Sequence, residues 1–243
     1  MNDPDSRPDS TVFVRFRERL ARKNADVAEP PVLYTAFGDS VTQGWFEHAT
    51  CDHPSSFPTR FKLRVERRYP AAAVNLINAG VAGDTAARSL NRVERDLLRY
   101  PSDLVTIAFG ANDAHGGSEG LEAYRRSLTE IIRLVRETSD ANILLITPSW
   151  MMLSDNPFIH ELERKYVNTF LQLAEARTLS YYREAMLEAA SLTNTSCLDI
   201  YAIWQEMHDS GIDIHARLAN GINHPDRAIH ERIAEAIEQL AVG

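Results

Sequence analysis

The sequence predicts an α/β protein built on a parallel sheet. Short apolar segments alternate with amphipathic segments of helical period along the 243 residues. The apolar segments are nearly continuous, as expected of strands that are buried on both faces. Strands that alternate with helices form right-handed crossover units, which pair the strands in parallel.

These segments define the predicted elements. The strands are predicted at 32–37, 74–78, 104–109, 143–147 and, with a weaker pattern, 197–200. The helices are predicted at 11–24, 57–69, 85–98, 121–135 and 225–240, with a broken helical region at 160–190. In the helix at 85–98, Ala86, Leu90 and Val93 recur on one face, and Asp84 is a candidate N-cap.

The chain is predicted to hold a single domain. A polar tail and a helix occupy residues 1–28, and Pro30 and Pro31 stop that helix. The domain itself is predicted at 29–243. No internal repeat, low-complexity tract or linker divides this span, which is long enough to bury one large core.

Composition and charge favour an ordinary soluble protein. The net charge of −8 comes from 26 basic and 34 acidic residues, so it offers no electrostatic footprint for nucleic acid or an anionic membrane. Cys51 and Cys197 are too few for a disulfide framework, which favours a reducing compartment. The sequence has no signal-peptide core and no apolar run of membrane-spanning length. We therefore expect a cytoplasmic protein; whether a signal peptide was removed, and whether the chain forms a homo-oligomer, is left open.

Small and polar residues follow the predicted strands. In open parallel sheets, ligands bind beyond the carboxyl ends of the strands. The segments in question are GDS at 38–40, NAGVAGDT at 78–85, GAND at 110–113 and, before the last helix, NGINHP at 220–225. We therefore expect a serine, a glycine, an asparagine and a histidine to meet at one edge of the sheet.

Such a set of residues suits acyl transfer. Ser40 needs a base to accept its proton, and His224 can serve because an imidazole titrates near neutral pH. The oxyanion of a tetrahedral intermediate requires fixed donors, which the backbone N–H groups of Ser40 and Gly83 and the amide of Asn112 can supply. Gly83 has no side chain to block its N–H, and it precedes a predicted helix, whose N-terminal end favours negative charge.

The four segments resemble the SGNH hydrolases, also called GDSL esterases and lipases, a family named for its Ser, Gly, Asn and His in separated blocks. The blocks occur in family order, and the resemblance covers residues 32–240. It implies a flavodoxin-like three-layer α/β/α sandwich with a five-stranded parallel sheet. It also places the family's oxyanion glycine on Gly83, not on Gly80.

One departure from the family pattern concerns the base. Family members usually carry an Asp three residues before the histidine, where this chain has Gly221. A backbone carbonyl near Gly221 or Asn220 is the favoured replacement and would make a Ser–His dyad. The side chains of Asp213 and Asp226 are the alternatives.

Other combinations of residues are weaker candidates. His48, Asp52 and His53 lack the spacing of a helical metal motif, and residues 80–83 lack the spacing of a nucleotide-binding loop. We therefore predict no metal site and no cofactor. Trp45, Phe46 and His115 are candidates to line a substrate pocket, and packing of their loops is the equal alternative.

The prediction is a serine carboxylic-ester hydrolase that acts on a small-molecule ester. The sequence shows no lid-like apolar insertion, which favours short acyl groups, including acetyl on a carbohydrate. Lysophospholipid and thioester substrates are alternatives, because one fold hosts many substrates. A non-catalytic binding protein is the alternative from another class, and the missing Asp is its main support.

Overall fold

Five parallel strands form a sheet at the centre of the fold. The structure is a computed structural model that describes residues 12–243. The strands are Val32–Gly38 (β1), Val74–Gly80 (β2), Leu104–Ala108 (β3), Asn142–Ile146 (β4) and Ser196–Leu198 (β5). Their order across the sheet is β2-β1-β3-β4-β5, and every neighbouring pair is parallel. This is the flavodoxin-like order, in which the connections reverse direction between β1 and β3.

Helices and short helical turns connect the strands. The α-helices are Val14–Ala25 (α1), Ser40–Gln43 (α2), Phe57–Arg68 (α3), Ala86–Ser89 (α4), Leu121–Thr138 (α5), Val167–Glu175 (α6), Thr178–Leu192 (α7), Ile200–Asp209 (α8) and Arg227–Ala241 (α9). The 3₁₀ segments are His53–Ser55, Asp113–Gly120, Glu161–Tyr166 and His215–Arg217, and Glu94–Leu98 is a π-helical turn. Within residues 12–243, no helix has both the length and the apolar character needed to cross a bilayer.

The helices cover both faces of the sheet and bury a core on each. One core joins β1 to α1, α3, α8 and α9 through residues such as Phe16, Phe61 and Trp204. The other packs β3 against α5 and α7 through residues such as Ile107, Ile131 and Met186. Burial on both faces explains why the strand sequences are almost continuously apolar. The three-layer α/β/α fold is thus confirmed.

The predicted elements agree with the observed ones apart from the short helix α2, which was not predicted, and two further helical regions. All five strands fall within two residues of the predicted bounds, and α1 buries Phe16 and Leu20 in the same core as β1. The helix α8 was not predicted, because Ile200 continues the apolar pattern of β5. The Asp199 side chain accepts from the N–H of Ala202 and starts that helix instead. Residues 1–11 of the predicted tail lie outside the described residues, and the domain division at residue 28 stays a prediction.

The helix predicted at 85–98 is interrupted and differently capped. It divides into α4 and the π-helical turn, and Arg92 lies between the two. The Arg92 guanidinium donates to the Gly38 and Ala79 carbonyls and pairs with Asp84 at 2.7 Å, so it ties this segment to the ends of β1 and β2. Asp84 is therefore not the N-cap, and the Thr85 side chain takes that place by accepting from the N–H of Arg88.

Candidate active site

Ser40 lies at the first position of α2, directly beyond the end of β1. Asp39 caps this helix through a 2.9 Å bond from the N–H of Val41 to its Oδ1. The turn between strand and helix requires Gly38, because a Cβ there would lie 2.2 Å from Thr42 Oγ1 and 2.6 Å from the Ala108 carbonyl. The GDS segment therefore places Ser40 at the switch point between β1 and β3, where α/β sheets bind ligands.

His224 is in hydrogen-bond contact with Ser40. Its Nε2 lies 3.2 Å from Ser40 Oγ, and its Nδ1 lies 3.0 Å from the carbonyl oxygen of Phe46. A carbonyl can only accept, so Nδ1 carries a proton, and Nε2 of the neutral ring is left as an acceptor. Nε2 can then accept the Ser40 hydroxyl proton, which is the orientation that a general base requires.

The turn that presents His224 is held by Asn220. Its Oδ1 accepts from the backbone N–H groups of Ile222, Asn223 and His224, each at 3.0 Å. These three bonds fix three consecutive residues of the turn, and Asn220 itself is buried. The position four residues before the histidine thus organises the backbone and does not contact the ring.

The carbonyl behind His224 is not the one that the sequence suggested. The Nδ1 of His224 bonds to the Phe46 carbonyl, whereas the Gly221 carbonyl accepts from Asn156 Nδ2 at 2.9 Å. The prediction of a carbonyl near Gly221 was therefore wrong in position. Asp213 and Asp226 do not reach the ring either, because Asp213 bonds to His215 and Asp226 caps α9 through the N–H of Ile229.

Phe46 is fixed by its surroundings. Its N–H donates to the Thr50 carbonyl at 3.0 Å, and its ring is fully buried between the Arg227 guanidinium at 4.5 Å and the His230 ring at 4.6 Å. His230 accepts from the N–H of Phe57, and burial lowers its pKa to about 3, so this ring is neutral. Of the two interpretations offered for Phe46, packing is therefore the one observed, because its ring contacts Arg227 and His230 while its carbonyl accepts from His224.

The three predicted oxyanion donors line one cavity with His224. Ser40, Gly83 and Asn112 all contribute to its wall. Gly83 has a φ of +74°, a conformation that L side chains rarely adopt, and among the described residues no acceptor bonds to its N–H. Asn112 Nδ2 donates to the Asp84 carbonyl at 2.9 Å and lies 3.5 Å from Asp39 Oδ2, a contact at the outer limit of a hydrogen bond.

Gln43 joins the glycine loop to the helix that carries Ser40. Its Oε1 accepts from the N–H of Ala82 at 2.8 Å and from Trp45 Nε1 at 2.9 Å. Close packing adds to this contact, since a Cβ on Gly80 would lie 2.3 Å from the backbone nitrogen of Gln43. The loop bearing Gly83 is therefore held at a fixed place relative to Ser40.

The cavity has a volume of about 520 Å³ and an aromatic and polar wall. Besides the residues above, it is lined by Trp45, His115, Glu163, Tyr166, Thr169, Phe170 and Asn223. Trp45 and His115 are therefore in the predicted place. The residues of 161–170 were not anticipated, because they follow β4 only after an irregular segment of some fifteen residues that carries no motif.

The residues considered for a metal have other partners. His48 bonds to Glu163, Asp52 pairs with Arg227, and His53 bonds to the Gln43 carbonyl. Within the part of the chain that the structure describes, no group of three or more His, Cys, Asp or Glu side chains is placed to hold a metal ion.

Burial perturbs the titration of several groups around Ser40. It lowers the pKa of His224, and the Phe46 carbonyl and the Glu163 charge oppose this shift. Burial also raises the pKa of Asp39 to about 7 and that of Asp113 to about 6, with nearby carboxylates adding to the shift in each case. Perturbed groups of this kind concentrate at functional sites.

We expect Asp39→Asn to stabilise the protein at alkaline pH. The folded chain holds the Asp39 proton up to about pH 7 and the unfolded chain loses it near pH 4, so the wild-type unfolding free energy falls as pH rises through this window. Asparagine removes the buried charge and keeps the Oδ1 that accepts from Val41. The variant should exceed wild type by about 4 kcal/mol at pH 8, the size of three units of pKa, and by little at pH 4 in urea unfolding. Asp209→Asn, at an exposed position, is the control, and an Asp39→Asn variant less stable than wild type at pH 8 would contradict the account.

A serine and a histidine in hydrogen-bond contact, at the switch point of a parallel sheet, form the arrangement used by serine hydrolases. The sequence model of the GDSL-like Lipase/Acylhydrolase family matches residues 36–232. The chain belongs to this family, and it is a hydrolytic enzyme that acts on esters.

Solved structures share the fold. A lipase/acylhydrolase from Enterococcus faecalis is 22% identical over 85% of this chain and 93% of its own, with a TM-score of 0.64. An acetylxylan esterase from Geobacillus stearothermophilus is 21% identical over 86% of this chain and 94% of its own, with a TM-score of 0.64. A two-domain esterase active on acetylated mannans is 19% identical over 95% of this chain and 54% of its own, with a TM-score of 0.65. A comparison with curated protein sequences found no significant match.

Proposed function

We propose that Ser40 is the nucleophile and His224 the general base of this esterase. The observation that carries the proposal is the hydrogen-bonded series from Ser40 Oγ to His224 Nε2, and from Nδ1 to the Phe46 carbonyl. Ser40 Oγ attacks the ester carbonyl carbon while Nε2 takes its proton. The carbonyl oxygen becomes an oxyanion, for which the Ser40 and Gly83 N–H groups and the Asn112 amide are the proposed donors.

The remaining steps return the enzyme to its starting state. Collapse of the tetrahedral intermediate breaks the bond to the alcohol, which leaves with the proton from Nε2. The acyl group stays on Ser40 Oγ. Water then gives a proton to Nε2 and attacks the acyl carbon, and the second collapse returns that proton to Ser40 and releases the acid.

We further propose a short acyl group as the substrate's acid part, with acetyl on a carbohydrate as the favoured case. The wall of the cavity supports this, because Trp45, Tyr166 and Phe170 offer aromatic surface beside polar groups such as Thr169 and Asn223. Fold neighbours that act on acetylated xylan and acetylated mannan support the same reading. The free thiols of Cys51 and Cys197 favour a cytoplasmic location.

One observation favours the alternative of a lysophospholipid or thioester with a longer acyl chain. The segment between β4 and α6 exposes large apolar side chains: Leu153, Phe158, Leu162 and Tyr166. Of these four, Tyr166 also lines the cavity that holds Ser40 and His224. The preference for short acyl groups rests on the absence of a lid-like apolar insertion, and these exposed side chains are a reason to compare the two substrate classes directly.

The test is hydrolysis of p-nitrophenyl esters from acetate to octanoate, run beside Ser40→Ala. We expect kcat/KM to be highest for acetate and to fall with chain length, and release of acetate from acetylated xylo-oligosaccharides to be lost in Ser40→Ala. A kcat/KM that rises toward octanoate would favour the alternative. Absence of hydrolysis on every ester would favour a non-catalytic binding protein.

A further inference from the structure

Glu163 places a carboxylate in the wall of the cavity that contains His224. Its Oε1 accepts from His48 Nδ1 at 2.9 Å, and its side chain is only 16% exposed. Its Oε2 is buried and has no hydrogen-bond partner among residues 12–243. A buried acceptor without a partner is costly, so it needs a reason to be retained.

The charges around Glu163 leave its carboxylate without a permanent cation. Its neighbour Arg164 turns away and pairs with Asp155 at 3.1 Å. His48 is its single ion-pair partner in the described chain, and the His48 ring stacks on His160 at 4.3 Å. With a neutral His48, the Glu163–His48 pair therefore has a net negative charge.

Polar, charged and titratable groups from several elements surround His224. Ser40 and the Phe46 carbonyl contact its ring directly, and Glu163 and His115 share its cavity. The buried His230 lies behind Phe46, and Arg227 is paired with Glu47 and Asp52. Among residues 12–243, Glu163 is thus the one carboxylate that lines the same cavity as His224.

We propose that Glu163 supplies the negative charge that stabilises the His224 imidazolium during ester hydrolysis. This inference rests on the proposed roles of Ser40 and His224. It makes Glu163 a positioning residue, which acts through His224 and forms no bond to the reacting atoms. Glu163 would thus supply the negative charge that the usual family Asp supplies. It would do so from the wall of the cavity, because the Phe46 carbonyl occupies Nδ1.

The physical argument is that a carbonyl fixes the tautomer but carries only a dipole. Proton transfer from Ser40 puts a full positive charge on His224, in a site where burial disfavours charge. A carboxylate held in a poorly solvated wall acts on that charge more strongly than one in water. The Glu163 charge raises the pKa of His224 against the effect of burial, in agreement with this role.

The direct test is an NMR titration of the His224 ring in wild type and three variants. Glu163→Gln removes the charge and keeps a group that can bond to His48. We expect it to lower the pKa of His224. His48→Gln, which loses the imidazole partner and keeps the carboxylate, should not lower it. Glu161→Gln removes the same charge from an exposed position of the same 3₁₀ segment and should leave the titration unchanged.

Kinetics provide the second measurement. With p-nitrophenyl acetate, Glu163→Gln should lower kcat about tenfold, the size of one unit of pKa, and change KM little. The acidic limb of its kcat/KM profile should move to lower pH, because a base of lower pKa is protonated only at lower pH. Glu163→Asp should recover part of kcat, and circular dichroism should confirm that each variant folds.

The inference is wrong if Glu163→Gln leaves both the His224 titration and kcat unchanged. It is also wrong if Glu163→Gln and His48→Gln cause equal losses with no change in titration, because Glu163 would then only anchor its segment to the His48 loop. The NMR titration keeps this result separate from the proposed function. If no ester is hydrolysed, the esterase proposal fails, and the titration still decides whether Glu163 acts on His224.

Discussion

Replacing Ser40 by alanine is expected to lower kcat on p-nitrophenyl acetate by about 10⁵-fold or more, with KM changed little. The hydroxyl is the only group in this account that forms a covalent bond to substrate. His224 then has no proton to accept, since its Nε2 faces Ser40 Oγ at 3.2 Å. Ser40 begins a short helix and buries no large surface, so the fold should persist and any loss should be chemical.

His224→Ala should cost about as much, and the double variant should be no slower than either single one, because groups that act as a unit are not additive. Asp213→Asn and Asp226→Asn are the matched controls. Both acids are engaged away from the ring, so each variant should retain kcat within a few-fold. A loss of several orders of magnitude in either control would mean that an acid orients His224 after all.

The second large effect is expected for Asn112→Ala, with a loss of about 10²- to 10³-fold in kcat and a small change in KM. Asn112 Nδ2 uses one hydrogen on the Asp84 carbonyl, and its other contact, to Asp39, is long at 3.5 Å. Because that contact is weak, we expect the second Nδ2 hydrogen to bond to the oxyanion as it forms. Asn112→Asp should be worse than alanine, because it puts an acceptor and a negative charge where the oxyanion develops.

Asn91→Ala, at an exposed position, serves as the control for Asn112→Ala. Urea unfolding of both variants would separate catalysis from stability, since Asn112 also holds the loop at Asp84. If kcat of Asn112→Ala stays within threefold of wild type while the fold is intact, Asn112 is not an oxyanion donor.

Those parts of the site that depend on residue types within a short segment could be predicted from the sequence. Gly38, Asp39 and Ser40 are contiguous, and their conformation follows from a strand, a cap and a four-residue helix. A glycine suits position 83 because of its positive φ, and Asn112 lies in the loop that follows β3. Because parallel strands end at one edge, a motif at each strand end was sufficient to predict that these residues meet.

The groups that sequence reasoning missed act through contacts that residue type does not encode. The Phe46 oxygen is a backbone atom, 178 positions from His224 along the chain, and any residue could supply it. Glu163 reaches the cavity from an irregular segment, and its pairing with His48 spans 115 positions. Such contacts depend on how loops pack over the sheet, which the periodicity of helices and strands does not predict.

The measurement that tests the central proposal most directly is covalent labelling with a fluorophosphonate, followed by mass spectrometry of the digested protein. Attack by the activated serine expels fluoride and leaves a phosphonyl group on Oγ. We expect one adduct, on the peptide that contains Ser40, with labelling lost in Ser40→Ala and greatly slowed in His224→Ala. Labelling on another residue, or hydrolysis of p-nitrophenyl acetate that persists in Ser40→Ala, would contradict it.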